Sequence, residues 1–430
     1  MKTALAVIGA NWGDEGKGLA VDAIAHGMAQ NGDDPVRVVR TNGGAQAGHG
    51  VERPDGARHV FHHVGAGAFT GASTHLSQFF VAHPMVLAKE LEDLSGLGVE
   101  PVITIDPRAP VTTPWDMAIN QAVERARGGL RHGSTGLGFG ETIERMENGP
   151  KLVAADLWGH PSDLRDILSE IRDVWSEKRL DGLGVEDMGG RELRQVFDPK
   201  TGILERFLVD VIHFKEQVSL MDDMEIKEGH QVLFEGAQGL RLDMDQGEMP
   251  WVTRSNTGLK NMLVVAEEAG IDTVSPFYMT RAYATRHGAG PLPHEPFDEE
   301  GLPVDIDWLN VVDKTNAPNP WQGHIRHAPL DLDVLKASID YDLALAEDSP
   351  VAVFPRLGIT CLDQIVDMGG LMRGGVILRS PPVNMTSYMG HHVGLEVGMT
   401  SWGPTREDVR WNWLEVEPFL GDRENSDPAP

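Results

Sequence analysis

A chain of 430 residues with 41% hydrophobic content is long enough to bury a large core, and its composition is that of a globular protein. A formal charge of −28 argues against a nucleic-acid backbone as partner, because neutralising phosphates takes clustered Lys and Arg; any nucleotide bound here is a small ligand held locally. The single cysteine, Cys361, rules out an intrachain disulfide framework and a cysteine zinc cluster, leaves oxygen and histidine as metal ligands, and fits a cytoplasmic location.

Taken in order, the chain opens on an apolar strand beginning at Thr3 that runs into the glycine-rich turn Asn11-Trp-Gly-Asp-Glu-Gly-Lys-Gly18, with a helix over Leu19 to Ala25. The apolar start is interrupted too early for a signal peptide, and no later run is long and apolar enough to span a bilayer. Val36 to Arg40 is a second strand entering the loop Thr41 to Gly50. Pro101 to Ile105, Gln231 to Glu235, Val351 to Phe354 and Ile359 to Leu362 also read as buried strands. Helices are expected over Pro84 to Leu94, Trp115 to Arg127, Pro161 to Arg179, Arg191 to Phe197 and Ile203 to Met224. Strands alternating with helices predict an α/β fold: a large, mostly parallel central sheet covered on both faces. Residues 1–420 are expected to form one domain and 421–430 a polar tail, while Asn316 to Gly323, with two prolines and a glycine, reads as a surface linker or a substrate loop.

The first turn has the makings of a phosphate cradle. Glycines let the backbone approach an anion, amides at the start of the following helix point at it, and Lys17 adds a point charge. It departs from the Walker pattern, since Asn11 stands at the first glycine position and Gly18 at the hydroxyl position. Four further glycine-rich segments, Asn42 to His49, Gly133 to Gly140, Phe234 to Gly239 and Thr285 to Pro291, each place amides and a polar side chain beside a strand end, where loops of a parallel sheet converge on one crevice.

Trp12-Gly-Asp-Glu-Gly-Lys-Gly18, Gly43-Gly-x-x-Ala-Gly-His49, Ser134-Thr-Gly136, Phe234-Glu-Gly-Ala-Gln-Gly239, Leu242-Asp-x-Asp-x-Gly247, Val252-Thr-x-Ser-Asn256, Thr285-Arg-x-Gly-Ala-Gly-Pro291 and Ser401-x-Gly-Pro-x-Arg406, in collinear order, resemble the adenylosuccinate synthetase family. The resemblance implies that family's P-loop-like nucleotide-binding fold. It also implies a Mg²⁺-dependent ligase joining L-aspartate to the 6-oxo carbon of a purine nucleoside monophosphate, driven by ATP or GTP, in a homodimer. Asp14 matches the base that takes the N1 proton, His49 the acid at the phosphoryl group, Lys17 the phosphate-binding lysine and Gln238 the residue holding the purine nucleotide. The Asp14 carboxylate and the Gly48 carbonyl match the metal ligands. Gly13, Glu15, Gly16, Gly18, Gln46, Ala47, Ser134, Thr135, Gly136, Thr253, Arg286, His287, Asp363, Ser401 and Gly403 match nucleotide or phosphate contacts, and Gly323, His324 and Arg326 the aspartate site.

The departures from the family pattern fall on specificity. The loop Thr-Gly-Arg-x-Arg-Arg, which grips aspartate, reads Gln322-Gly-His-Ile-Arg-His327, leaving Arg326 as its arginine. Gln46 replaces an asparagine, His287 a valine beside the ribose, and Cys361 the lysine of the guanine-reading Thr-Lys-Leu-Asp. Glu144 to Pro150, a basic segment in the family that crosses to the partner's phosphate, keeps only Arg145. An intact catalytic core with altered pockets resembles the phage 2-aminoadenylosuccinate synthetases, which join aspartate to dGMP with ATP or dATP; IMP with GTP is the alternative, and a non-catalytic nucleotide sensor a third.

Overall fold

The computed structural model describes residues 2–128, 132–185, 190–300, 304–311 and 323–412. Its centre is an eleven-stranded sheet. From one edge the order is Val409–Trp411, Val397–Ser401, Arg356–Thr360, Thr273–Arg281, Thr3–Gly9, Gln231–Glu235, Val36–Arg40, Ser73–Leu76, Ile103–Ile105 and Val218–Leu220, with Ala352–Val353 also pairing with Thr273–Arg281. Every pairing is parallel except that of the outermost Val409–Trp411. Val36–Arg40 and Thr273–Arg281 are buried along their whole length. A parallel sheet covered by helices on both faces buries its central strands in this way, here with arginines among the apolar residues. One apolar cluster packs Ile24, Phe61 and Trp115 on one face, and a second packs Met262, Leu335 and Met385 on the other.

Several expected elements change when tertiary pairing is added. The helix expected over Ile203 to Met224 stops at Gln217, because Val218–Leu220 leaves to pair in parallel with Ile103–Ile105 as an edge strand. The expected Pro161 to Arg179 helix is three pieces, Pro161–Glu170, a π turn Ile171–Trp175 and Ser176–Gly182; the Ser176 hydroxyl donates to the Ile171 carbonyl at 2.8 Å across that wider turn. Val351 to Phe354 contributes only the two-residue strand Ala352–Val353, and the following strand is Arg356–Thr360, with Leu362 already in a 3₁₀ turn. Of the proposed linker only Gly323 is described, and the tail lies outside the described residues. No helix among the described residues is long and apolar enough to cross a membrane.

The strand Thr273–Arg281, absent from the sequence expectations, is central, and it contains Pro276. A proline is tolerated there because its missing N–H falls between two partners: Ala352 and Val353 pair with Thr273 and Val274, while pairing with Arg356–Thr360 starts only at Phe277. The helix Lys17–Asn31 that follows the first strand begins at Gly16, whose φ of 81° lies in the left-handed region, and no side chain caps its first amides.

Candidate active site

The strand ends and their loops meet around the turn 10–16. Arg281 ends one neighbour of the first strand and Glu235 the other, while Arg40 ends the next. Arg40 and Glu235 are 0% exposed and Arg281 8%. Charged residues closing buried parallel strands place full charges at the crevice where ligands bind such sheets.

Within the turn, Glu15 is directed inward. Its carboxylate accepts from the amides of Asn11 at 3.0 Å and Gly13 at 2.7 Å, and pairs with Lys17 Nζ at 2.9 Å. Asp14 adopts a left-handed φ of 59°, a conformation costly for a non-glycine residue. Arg281 Nε donates to its carbonyl, and Thr285 Oγ1 donates to the Gly13 carbonyl at 3.3 Å. The Asp14 carboxylate lies 3.6 Å from His287 Nε2. Behind the turn, a Cβ on Gly239 would come within 2.3 Å of the Asn11 carbonyl, so the Gln238 turn is pressed against the cradle. Asn42 joins a third loop to it, donating to the Ala237 carbonyl at 3.0 Å and accepting from the Ala237 amide at 2.8 Å.

His49 Nδ1 forms a short hydrogen bond to Glu235 Oε1, whose other oxygen accepts from the Ala66 amide at 3.0 Å. Burial pushes the His49 pKa down to about 4, with Arg40 and Lys17 acting in the same direction and Glu235 against them. Burial acts to raise Glu235, but Arg40 and His49 hold it below the usual carboxylate range. The pair therefore holds one proton at neutral pH: an ionised Glu235 accepting from Nδ1–H of a neutral imidazole, with Nε2 as the free face. Among the described residues that Nε2 is buried with no protein partner, as are Gln46 Nε2 of the same loop, Gln238 Oε1 and His287 Nδ1, so the four atoms come from three converging loops. Native proteins pair almost all such groups, so four of them at one crevice point to a polar ligand.

A cavity of about 390 Å³ opens on the other side of the turn. Asp14, Gly16, Lys17, Gly18, Gly48 and His49 line it, together with Cys361, Asp363, Gln364, Ser401, Gly403 and Pro404 and with Arg281 and Arg58. Ser401 Oγ donates to the Gly403 carbonyl at 2.7 Å and shapes the wall there. Burial raises the Asp363 pKa, with Asp408 adding to the shift. Asp14 and Gly48 both line the cavity, and a carboxylate with a backbone carbonyl is the kind of hard oxygen set that suits Mg²⁺, which takes few protein ligands and keeps water or phosphate oxygens.

Other expected residues are placed as follows. Gly133 packs on Gly288 and Ala289 of the Thr285 loop, whereas of the neighbouring Ser134, Thr135 and Gly136, Ser134 Oγ accepts from Asn120 Nδ2 at 3.0 Å and the Gly136 carbonyl from Gln121 Nε2 at 3.1 Å. The Ala47 carbonyl lies 2.6 Å from His62 Nδ1, and Thr253 is held by its amide to the Leu242 carbonyl. Arg326 is occupied by Glu295 at 2.6 Å and by the Gly288 and Gly290 carbonyls, whereas Gly323 and His324 are exposed. Arg145 is fully buried, bridging both Asp116 oxygens and the Val111 and Pro150 carbonyls, so it is a core residue and not a cation lent to a partner subunit. Glu235, Arg40 and Arg281 carried no role in the sequence reading; the signal available was a charge ending each apolar strand.

A family model described as adenylosuccinate synthetase matches residues 6–306. The adenylosuccinate synthetase of Xanthomonas campestris pv. campestris strain B100 is 35% identical over 306 residues, 70% of this chain and 67% of that protein. The Xylella fastidiosa enzyme is 34% identical over 305 residues, with the same coverage of 70% and 67%. Among solved structures, a fully ligated adenylosuccinate synthetase from Plasmodium falciparum aligns with a TM-score of 0.64 at 17% identity, covering 95% of this chain and 100% of that one. The succinoaminodeoxyadenylate synthetase of cyanophage S-2L, bound to dGMP and to dATP as an energy donor, aligns with a TM-score of 0.58 at 16% identity, covering 96% and 95%. At these identities the two structures speak for the fold alone.

Proposed function

The chain belongs to the adenylosuccinate synthetase family, and from that premise we propose that it joins L-aspartate to C6 of a 6-oxopurine nucleoside monophosphate, with dGMP as acceptor and ATP or dATP as donor. The observation that carries the ligase reading is that Asp14, Lys17 and His49, a candidate base, a phosphate cation and a candidate acid, line one cavity. A 6-oxo group leaves poorly until it is phosphorylated. Asp14 takes the N1 proton, O6 attacks the γ-phosphorus, and the nucleoside diphosphate departs; the aspartate amine then adds to C6 and phosphate leaves with O6. His49 presents Nε2 to the transferring group, and the added negative charge of the phosphates raises its proton affinity from the low value that burial imposes, so that it donates when O6 leaves. Mg²⁺, held by the Asp14 carboxylate and the Gly48 carbonyl, would supply charge neutralisation at the phosphates.

The preference for dGMP and an adenine donor rests on the pockets. Cys361 gives the base end of the cavity no lysine to lie over a guanine, and His287 and Gln46 reshape the acceptor side. IMP with GTP is the second reading, favoured by the names of the relatives at 35% identity. A cross of IMP, GMP and dGMP against GTP, ATP and dATP, with aspartate, Mg²⁺ and products read by mass, separates the two. Turnover of IMP with no turnover of dGMP overturns the first. Asp14→Ala should abolish product while nucleotide binding persists; undiminished turnover would remove the ligase assignment altogether.

A further inference from the structure

Among the described residues, two guanidinium groups beside the phosphate turn have no carboxylate within ion-pair distance. Arg286 is 1% exposed, and its bonds go only to carbonyls, Nη1 to Pro291 at 2.7 Å and Nη2 to Trp251 at 3.2 Å. Arg241 follows Gln238 by three residues; its amide donates to the Asn11 carbonyl at 2.8 Å, and its guanidinium lies 6.0 Å from the centroid of the Trp12 ring. The Nε atoms of both arginines are buried with no partner. The two belong to adjoining turns, since a Cβ on Gly247 would sit 3.0 Å from the Arg241 carbonyl, and the chain from there leads to the Trp251 carbonyl that Arg286 holds.

Arg326 stands directly opposite Arg286 across an antiparallel pair. Like charges so placed repel, and the nearby carboxylates do not offset all three cations. Glu295 is taken by Arg326, and Asp243 is bound by the amides of Asp245 and Thr257. Glu248 is exposed and forms no ion pair within 4.0 Å of either arginine among the described residues. The chain carries 65 acidic residues against 37 Lys and Arg, so one buried and one partly buried cation with no acid in direct contact among the described residues, Glu248 acting on Arg286 only from a distance, are an unusual expense in desolvation.

We propose that Arg241, backed by the charge of Arg286, forms an anion subsite that holds a carboxylate of the dicarboxylic amino-acid substrate. This rests on the ligase reading and supplies it with a cation for the amino acid where Arg326 is already engaged by Glu295. Arg241 sits on the turn that carries Gln238 and packs, through Asn11 and Trp12, against the turn that carries Asp14, which puts the subsite beside the reacting groups.

The test varies aspartate at saturating nucleotides and Mg²⁺. Arg241→Met should raise the aspartate KM by about tenfold or more, the range expected for one charge-assisted hydrogen bond, and leave the KM values of both nucleotides within about twofold. Arg241→Lys should recover part of the loss. A merely structural arginine would lower the ligand-free melting temperature when replaced, whereas an uncompensated cation should not. An unchanged aspartate KM overturns the proposal, and so does a rise in the acceptor-nucleotide KM instead, which would make this a phosphate site. If the wild-type protein consumes no aspartate, the ligase reading falls on its own. Succinate then serves as the probe: it should raise the melting temperature of the nucleotide-bound wild type and not that of Arg241→Met, and equal shifts overturn the subsite.

Discussion

At the scale of single residues, the pair His49 and Glu235 has the most sharply defined protonation state of the site. A carboxylate fixed by the Ala66 amide and the field of Arg40 holds the imidazole in one tautomer and one orientation, with Nε2 turned to the site. Glu235→Gln keeps the shape and removes the charge. Its amide can donate to Nδ1, which favours the opposite tautomer, and the doubly protonated imidazole loses its stabilising partner. The expected outcome is a fall in kcat of about 10- to 100-fold, the usual cost of losing such a partner, with little change in nucleotide KM. Unchanged steady-state kinetics in this variant would assign Glu235 to packing alone. His49 was singled out in the sequence because its glycine-rich loop, Gly43 to His49, resembles a motif of the family. Glu235 was not, because a single acid ending an apolar strand resembles any strand terminus until the fold sets it beside another loop.

The same distinction holds for elements. Segments whose information is local were readable: the strand Val36–Arg40, the helix Arg191–Phe197, and the glycine turns at strand ends. Segments defined by partners were not. Pro276 hides a central strand because the gap that tolerates it lies between two other strands, and Val218–Leu220 is a strand only because Ile103–Ile105 offers an edge. Asp342, on the helix Leu332–Ala344, shows how such elements are tied. It accepts from the Leu259 amide at the start of the helix Leu259–Glu268 and from the Tyr278 hydroxyl at 2.8 Å on the central strand. Burial pushes its pKa from 3.8 up to about 7, despite those two donors. A folded value above the unfolded one means that the folded state holds the proton more tightly. The stabilisation is complete below about pH 4 and is lost as pH rises through about 7. Asp342→Asn keeps an acceptor for Leu259 and stays uncharged, so its stability relative to wild type should improve steadily from pH 4 to 7 and level off above. Urea unfolding of both proteins across that range reads the difference directly, and a difference independent of pH would place the titration elsewhere.

Across the whole molecule, a net charge of −28 surrounds a site built to receive polyanions, and the two fields oppose each other. They differ in range. Lys17 is 4% exposed and acts over contact distances, where mobile ions screen little, while the surface charge acts over tens of ångströms and is screened with a Debye length of about 30 Å at 0.01 M salt and about 10 Å at 0.1 M. Added monovalent salt therefore removes the long-range repulsion first. The association rate of a fluorescent nucleoside triphosphate, measured by stopped flow, should rise between about 10 and 150 mM salt, the reverse of the usual trend for steered binding. The melting temperature should rise over the same range, because self-repulsion in the folded state weakens, and matched sucrose solutions separate screening from general solute exclusion. If the association rate falls instead, the cations on the cavity wall, Lys17, Arg281 and Arg58, govern the approach of the triphosphate as well as its final pose.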